Sequence, residues 1–505
     1  MGVVSREGTT KNLGANIIYF IINIIIGIFL VPFFISTLGI AAYGLIPLAT
    51  SLIGYVGILT NSLNSAVSRH LTIDMQRSER NQANRTFNSA FFGVSKIVLI
   101  LIPIVLVIAF FAPGLFGVPS TSTVDATGLF IGIGLAFLIR SWSSNFSVTL
   151  YASNRLDLVN FVNIINILVQ VLLIFILFSI STPSLASIGV SYLIGATVAT
   201  IATILLYRKM NKKLTIDYDC YDGQKFREMA QMSGWIIIND IGALLLLNID
   251  LIVVNYIYGN AVGGEYAIAY QWVGLLRGLA FTFVAILGPI ILISYANGQK
   301  DKIIAFSKSA VKLVGLGIAL PIGIICGLAP SILGAWVGAE FVGLAPLMII
   351  LTSHLVINTA VTPLFQVNIA HNKVKWPAIV TIIMGIVDLI LAFIFSLSLG
   401  LGIYGVALAG LLCMTLKNFI FTPIYATIVL GIPKWTFYPA IFPGILAMAC
   451  IALISVLWSI IIDTAGIGTL AFLCLITTGL YALIFWRFLL KDSEKIILPL
   501  WLRQQ

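Results

Sequence analysis

Runs of about 20 or more mainly apolar residues, each long enough to cross a bilayer as a helix, recur fourteen times along the 505-residue chain. In hydrocarbon every backbone N–H and C=O must be bonded within the protein, so such runs become helices packed side by side. They cover approximately residues 14–38, 42–66, 88–112, 127–150, 158–180, 186–207, 232–257, 265–296, 309–329, 342–366, 377–398, 402–424, 438–461 and 466–488. Only 9% of the residues are charged, whereas a soluble surface takes roughly a quarter. The expected fold class is therefore an all-α polytopic membrane protein with fourteen transmembrane helices.

The net charge of +10 raises the possibility of a nucleic-acid partner, and the placement of the cations argues against one. With the amino terminus inside, 26 of the 28 Lys and Arg residues fall on inward segments and none on an outward loop. By the positive-inside rule both termini are expected in the cytoplasm, in a multi-pass protein of the cytoplasmic membrane. The start MGVVSREGTTKN runs straight into a full-length apolar run with no small-residue cleavage site, so the first span is expected to stay as an anchor. The five cysteines lack metal spacing and read as packing residues, without a disulfide framework.

The outward connections are short, and none is large enough to form an external catalytic domain. The longest inward connection, 207–231, mixes six Lys or Arg with Asp217, Asp219, Asp222 and Glu228, as a linker between lobes would. Short repeats support a boundary there. Ala152-Ser-Asn154-Arg155 is matched 218 residues later by Ala370-His-Asn372-Lys373, and Gly39 to Tyr43 is echoed by Gly259 to Tyr266. The expected organisation is a six-helix lobe over 1–208, a linker over 209–231 and a second six-helix lobe over 232–430. Helices 13 and 14 with a cytoplasmic tail then occupy 431–505. Transporters use paired lobes of this kind to build a site at their interface.

This six-plus-six-plus-two arrangement is joined by Lys11-Asn-Leu-Gly14 before the first span, the turn Gly39 to Tyr43-Gly44, and Asn248-Ile-Asp250 followed by Gly259 and Tyr266. On these features the chain resembles polysaccharide flippases of the Wzx type, in the multidrug/oligosaccharidyl-lipid/polysaccharide superfamily. The resemblance covers nearly the whole chain. It implies a transporter that moves polyprenyl-diphosphate-linked oligosaccharides from the inner to the outer leaflet by alternating access, through a cationic cavity between the lobes. It also implies polysaccharide assembly proteins as partners, and no cofactor.

Ionisable residues inside spans are costly, roughly 2.5 to 3.5 kcal/mol at a helix centre, and normally face a bundle interior or a wet cavity. Arg140 lies about fourteen residues into the fourth span and Arg277 about twelve into the eighth, which at about 1.5 Å per residue puts both near mid-membrane. A guanidinium keeps its proton and forks onto phosphate oxygens, which suits a diphosphate; the other role open to both is pairing with Asp240, Asp250 or Asp388. Asp240 and Asp250 are ten residues apart, about 80° from sharing a helical face. Asp388 stands alone in the eleventh span, at the repeat position of Gln170. These acids either carry a coupling proton or sodium ion or bond structurally to helix neighbours.

Asn160, Asn163, Asn166 and Gln170 fall on one side of the fifth span, where they either bond sugar hydroxyls or pack helices together. His354 and Asn358 share a face of the tenth span at i, i+4, and Lys417 either reaches the inner surface or extends a cationic lumen. The glycines from Gly128 to Gly134 lie in an apolar span and favour close helix contact over phosphate binding. No HExxH or Cys-His spacing and no phosphate loop is present, so no metal or ATPase site is expected. The runners-up are an ion-coupled drug or metabolite exporter, against which the two arginines argue, and a membrane-embedded polymerase or ligase. The outward loops lack the Arg or His that such an enzyme would need.

Overall fold

The computed structural model describes residues 6–76, 80–210, 214–232, 234–284, 291, 294, 295, 297–462, 464, 466–485 and 487. Of the inward-segment cations, Arg77, Lys212, Lys213, Lys491, Lys495 and Arg503 lie outside these residues. Among the described residues twelve helices are long and apolar enough to cross a membrane. The chain is a multi-pass membrane protein. Two features account for the difference from fourteen runs. The second run is split at Gly57 into α2 (Ile40–Val56) and α3 (Ile58–Gln76), of which α2 has only 17 residues. The seventh and eighth runs form one continuous element, α9 (Gly234–Val284), broken only at Gly259, where φ is 80°.

Two compact units divide the chain: Met1–Leu244 with Leu251–Gly264, and Leu245–Asp250 with Glu265–Gln505. The division runs through α9, and the linker 209–231 lies within the first unit.

In the first unit α1 (Arg6–Leu38) precedes α2 and α3, followed by α4 (Arg80–Leu115), α5 (Thr123–Ala152), α6 (Leu156–Ile180) and α7 (Leu185–Met210). Glycines let α5 and α7 touch backbone to backbone. A Cβ added at Gly132 would lie 2.3 Å from the Gly189 backbone, and one at Gly189 would lie 2.5 Å from the Gly128 carbonyl. This is how small residues bring membrane helices together where apolar transfer supplies no drive. The linker is docked onto α4. Asn88 Nδ2 donates to the Thr215 carbonyl at 2.8 Å and its Oδ1 accepts from Asp217 N at 2.9 Å. Beyond it, α8 (Gly223–Met232) sets Phe226 against Gly93, and Lys225 Nζ sits 3.8 Å from Asp74.

The second unit runs from the end of α9 through α10 (Lys300–Gly327), α11 (Ala329–Trp336), α12 (Ala345–Ser353), α13 (Leu355–Ala360), α14 (Thr362–Ala370), α15 (Lys375–Phe393), α16 (Gly402–Thr415) and α17 (Thr422–Leu430). Then come α18 (Tyr438–Ile461) and α19 (Ile467–Ile484). Here α10 and α18 make the glycine contact, with a Cβ on Gly444 falling 2.9 Å from the Gly315 backbone. The tenth run, which reads as a single helix, is broken at His354 and Val361, with Pro363 in the first turn of α14. A π-helical stretch, Leu416–Phe421, separates α16 from α17.

The short sequence repeats have matching backbones. Asn154 and Asn372 both close a turn between helices in the left-handed region, at φ 57° and 54°. The residue after each donates back to the helix, Arg155 N to Leu150 O at 2.9 Å and Lys373 N to Asn368 O at 2.8 Å. Asparagine tolerates this conformation better than most side chains. Gly39 and Gly259 share a second unusual geometry, with φ 82° and ψ 163° against φ 80° and ψ 176°.

Candidate functional site

A pocket inside the second unit gathers two of the charges that stand out in the apolar sequence, Asp250 and Arg277. It is lined by Asp250, Tyr270, Arg277, His354, Gly410 and Met414 together with apolar residues, and its free space is about 10 Å³, the scale of one water molecule. After the Gly259 break, α9 carries Tyr266, Tyr270 and Arg277 at offsets of four and seven, so all three fall on one helical face. Asp250 reaches the same place from the other side of that break.

Asp250 is 6% exposed, and its Oδ2 accepts a hydrogen bond from the Tyr266 hydroxyl at 2.9 Å. Its Oδ1 has no partner among the described residues. Asp388, on α15, is fully buried and neither of its carboxylate oxygens has one. The two acids meet over Gly410 of α16. A Cβ there would lie 3.3 Å from Asp250 Oδ2 and 3.9 Å from Asp388 Oδ1, so the two oxygens are separated by no more than the sum of those distances. Glycine at 410 leaves open the space between them. Two buried carboxylates on either side of one glycine, with three of four oxygens unbonded among the described residues, need a positive charge from elsewhere, and a proton or a small cation can supply it.

Arg277 does not supply it at close range. No carboxylate of a described residue lies within 4.0 Å of its guanidinium. Nη1 donates to the Tyr270 hydroxyl oxygen at 3.4 Å and Nη2 to Met414 Sδ at 3.4 Å. The Tyr270 hydroxyl itself donates to the Leu247 carbonyl. A guanidinium has five N–H donors. Here it has two long contacts to weak acceptors, at the edge of a pocket, which leaves capacity for an anion.

The first unit holds the remaining residues. Arg140 Nη2 donates to Asn163 Oδ1 at 2.7 Å, while its buried Nη1 has no partner among the described residues. The amide row of α6 divides: Asn163 serves Arg140, Gln170 Nε2 donates to Asn166 Oδ1 at 3.3 Å, and Gln170 also packs on Gly195. Asn160 makes no side-chain hydrogen bond among the described residues. Asp240 accepts from Ser62 Oγ at 3.0 Å. The structural role open to both arginines, an ion pair with Asp240, Asp250 or Asp388, is thus absent. Lys417 is 9% exposed with Nζ 5.2 Å from the centre of the Phe365 ring, so it does not reach the inner surface.

Sequence reasoning missed Tyr270, Met414 and Gly410. The four- and seven-residue spacing of Tyr266, Tyr270 and Arg277 was an available signal, since it places two phenols beside a buried cation.

Comparison with known proteins agrees with this architecture. The family described as polysaccharide biosynthesis protein matches residues 9–292. The uncharacterized membrane protein EpsK of Bacillus subtilis (strain 168) is 33% identical over 434 residues, 86% of each chain. Among solved structures, the lipid II flippase MurJ in an inward closed conformation superposes with a TM-score of 0.68 at 16% identity, covering 96% of this chain and 100% of that one. A multidrug resistance MATE family transporter of the MOP superfamily, inward-facing, gives a TM-score of 0.62 at 13% identity over 85% and 97% of the two chains. At such identities the two structures speak to fold, while the first two matches speak to descent: this chain belongs to the polysaccharide biosynthesis protein family of multi-pass membrane proteins.

Proposed function

We propose that the protein is a flippase that carries a polyprenyl-diphosphate-linked oligosaccharide from the inner to the outer leaflet by alternating access, for cell-surface polysaccharide assembly. The observation that carries this reading is Arg277, a half-buried guanidinium with two long contacts and, among the described residues, no acid within 4.0 Å, in a family of polysaccharide biosynthesis proteins. Arg140, within the first unit, is in this reading a separate candidate phosphate contact through its Nη1, with Asn160 the amide of α6 that has no side-chain partner among the described residues. The Asp250–Asp388 pair is the seat of a coupling proton or sodium ion, and Asp240 lies outside it. Nothing in this reading calls for bond chemistry, so the protein is a transporter rather than an enzyme.

Reconstitution tests the substrate. Vesicles containing the purified protein and a short-chain polyprenyl-diphosphate oligosaccharide with a fluorescent sugar should expose that sugar to an impermeant quencher faster than protein-free vesicles do. If the glycolipid stays put while a lipophilic cation is moved against its gradient, the protein is a drug exporter and the flippase reading is wrong.

The reading includes fourteen spans with both termini in the cytoplasm, six-helix lobes before and after the linker 209–231 in sequence, and residence in the cytoplasmic membrane. In a background without native cysteines, single cysteines at Thr121 and Ala261 should react with an impermeant maleimide applied to intact cells. One at Asp219 should react only after lysis. The opposite pattern would reverse the orientation.

A further inference from the structure

The pocket wall holds one more polar side chain for which the proposed chemistry has no role. His354 sits at the break between α12 and α13 and is 8% exposed. A line of buried neutral groups runs away from it through the second unit. Asn358 Nδ2 is in hydrogen-bond contact with His354 Nδ1. Asn418 Nδ2 donates to Asn358 Oδ1 at 3.1 Å, and the Thr422 hydroxyl donates to Asn418 Oδ1 at 3.3 Å. Asn358, Asn418 and Thr422 are all at most 6% exposed. Two irregular helices make this line possible. The breaks around α13 turn His354 and Asn358 inward, and the π-helical stretch Leu416–Phe421 buries Asn418 beside Lys417. Such π turns are rare and are found disproportionately at functional sites.

Every bond in the line runs the same way, toward His354. An amide nitrogen only donates, so His354 Nδ1 can only accept from Asn358. A ring whose Nδ1 accepts is neutral and carries its one proton on Nε2. Amides do not take up and release protons readily, so the line is poorly suited to conduct them. What it does well is hold one tautomer in one orientation, as buried networks with every member bonded do.

We propose that His354 is a substrate-binding residue: a neutral Nε2–H donor to the phosphate oxygens that Arg277 attracts, with Asn358, Asn418 and Thr422 as positioning residues that fix its tautomer. The proposal rests on the phosphate reading of the pocket and refines it. A guanidinium alone takes any anion of suitable size. Adding a fixed neutral donor on a second wall selects an anion with oxygens on two sides, as a diphosphate has, without adding charge that would hold the substrate against release.

The chain contains only three histidines, His70, His354 and His371, so solid-state NMR of the full protein in lipid, labelled with 15N-histidine, resolves them. The His354 signal is identified by its loss in His354→Gln. The wild type should show Nδ1 as a bare acceptor and Nε2 protonated. Inorganic pyrophosphate should move the Nε2 signal in the wild type and not in Arg277→Ala. Asn418→Leu should mix the tautomers and weaken pyrophosphate binding roughly tenfold, the scale of one lost hydrogen bond to a charged group. His354→Gln, which keeps an N–H, should bind better than His354→Phe. A wild-type His354 protonated on Nδ1, or on both nitrogens, overturns the proposal even if no variant folds. Pyrophosphate binding that requires Arg277 but leaves Nε2 unmoved removes His354 from the site and leaves the phosphate reading standing. Absence of Arg277-dependent binding in the wild type removes the phosphate reading itself.

Discussion

Arg277→Ala should abolish flipping of the lipid-linked glycan, and Arg277→Lys should retain part of it. A diphosphate entering a low-dielectric pocket gains far more from a positioned guanidinium than it would in water. Losing two hydrogen bonds to a charged group costs about 3 to 6 kcal/mol, so head-group capture should fall by at least about a hundredfold. Lysine keeps the charge but not the bidentate fork. Protein abundance should change little. The guanidinium bonds only a phenol oxygen and a thioether, both at 3.4 Å, so its removal strands no buried carboxylate hydrogen-bonded to it. The competing account makes Arg277 a structural partner of Asp250. On that account Arg277→Ala lowers abundance, and adding Asp250→Ala restores both abundance and transport. Flipping at the wild-type rate by that double variant, measured in cells that depend on the glycan, would remove Arg277 from phosphate binding.

What could be read from the sequence follows from how each feature departs from an apolar background. A lone charge in a run of Leu, Ile and Val is conspicuous because it is costly, and Asp250, Arg277 and Asp388 were visible for that reason. The structure brings all three into the second unit. Their relation was not legible: Asp250 and Asp388 are far apart in sequence, and the residue that lets them approach is a glycine, one of 43. Pairing with acids was the alternative role for the arginines; instead Asp250 accepts from Tyr266 and Asp240 from Ser62, both neutral donors. Helix breaks at Gly57, His354 and Val361 leave hydropathy unchanged, so a method that finds spans by apolar length passes over them. For the same reason the line from His354 to Thr422 stayed hidden. Asparagine and threonine are tolerated on many membrane helices, and only their alignment across two helices makes them a network. The repeat was better served, since Asn154 and Asn372 are read from sequence and then found with φ within a few degrees of each other.

Asp388→Asn should uncouple transport from the ion gradient without harming the fold. Removing one member of a hydrogen-bonded buried ion pair normally destabilises a protein, because the survivor is left uncompensated. Asp388 has no such partner among the described residues: both of its oxygens are unbonded there, and the group on the other side of Gly410 is another carboxylate. Replacing it by an amide removes a buried like-charge contact, so abundance should hold or rise. Function should move the other way. If a proton or sodium ion is what compensates the pair, a site with one carboxylate binds that cation far less well, and the flipping rate under an imposed gradient should drop to the rate without one. Asp250→Asn should do the same, with an added loss because Tyr266 then donates to an amide rather than a carboxylate. Gly410→Val approaches the pair without touching its charge. The new Cβ would sit 3.3 Å from Asp250 Oδ2, pushing the acids apart and displacing any ion between them. Vesicles carrying either a sodium gradient at constant pH or a pH gradient without sodium identify the ion, since only the coupled one should accelerate wild-type flipping. Gradient stimulation that persists at full size in Asp388→Asn, Asp250→Asn and Gly410→Val would show that the carboxylates serve packing alone, and that the energy for transport enters elsewhere.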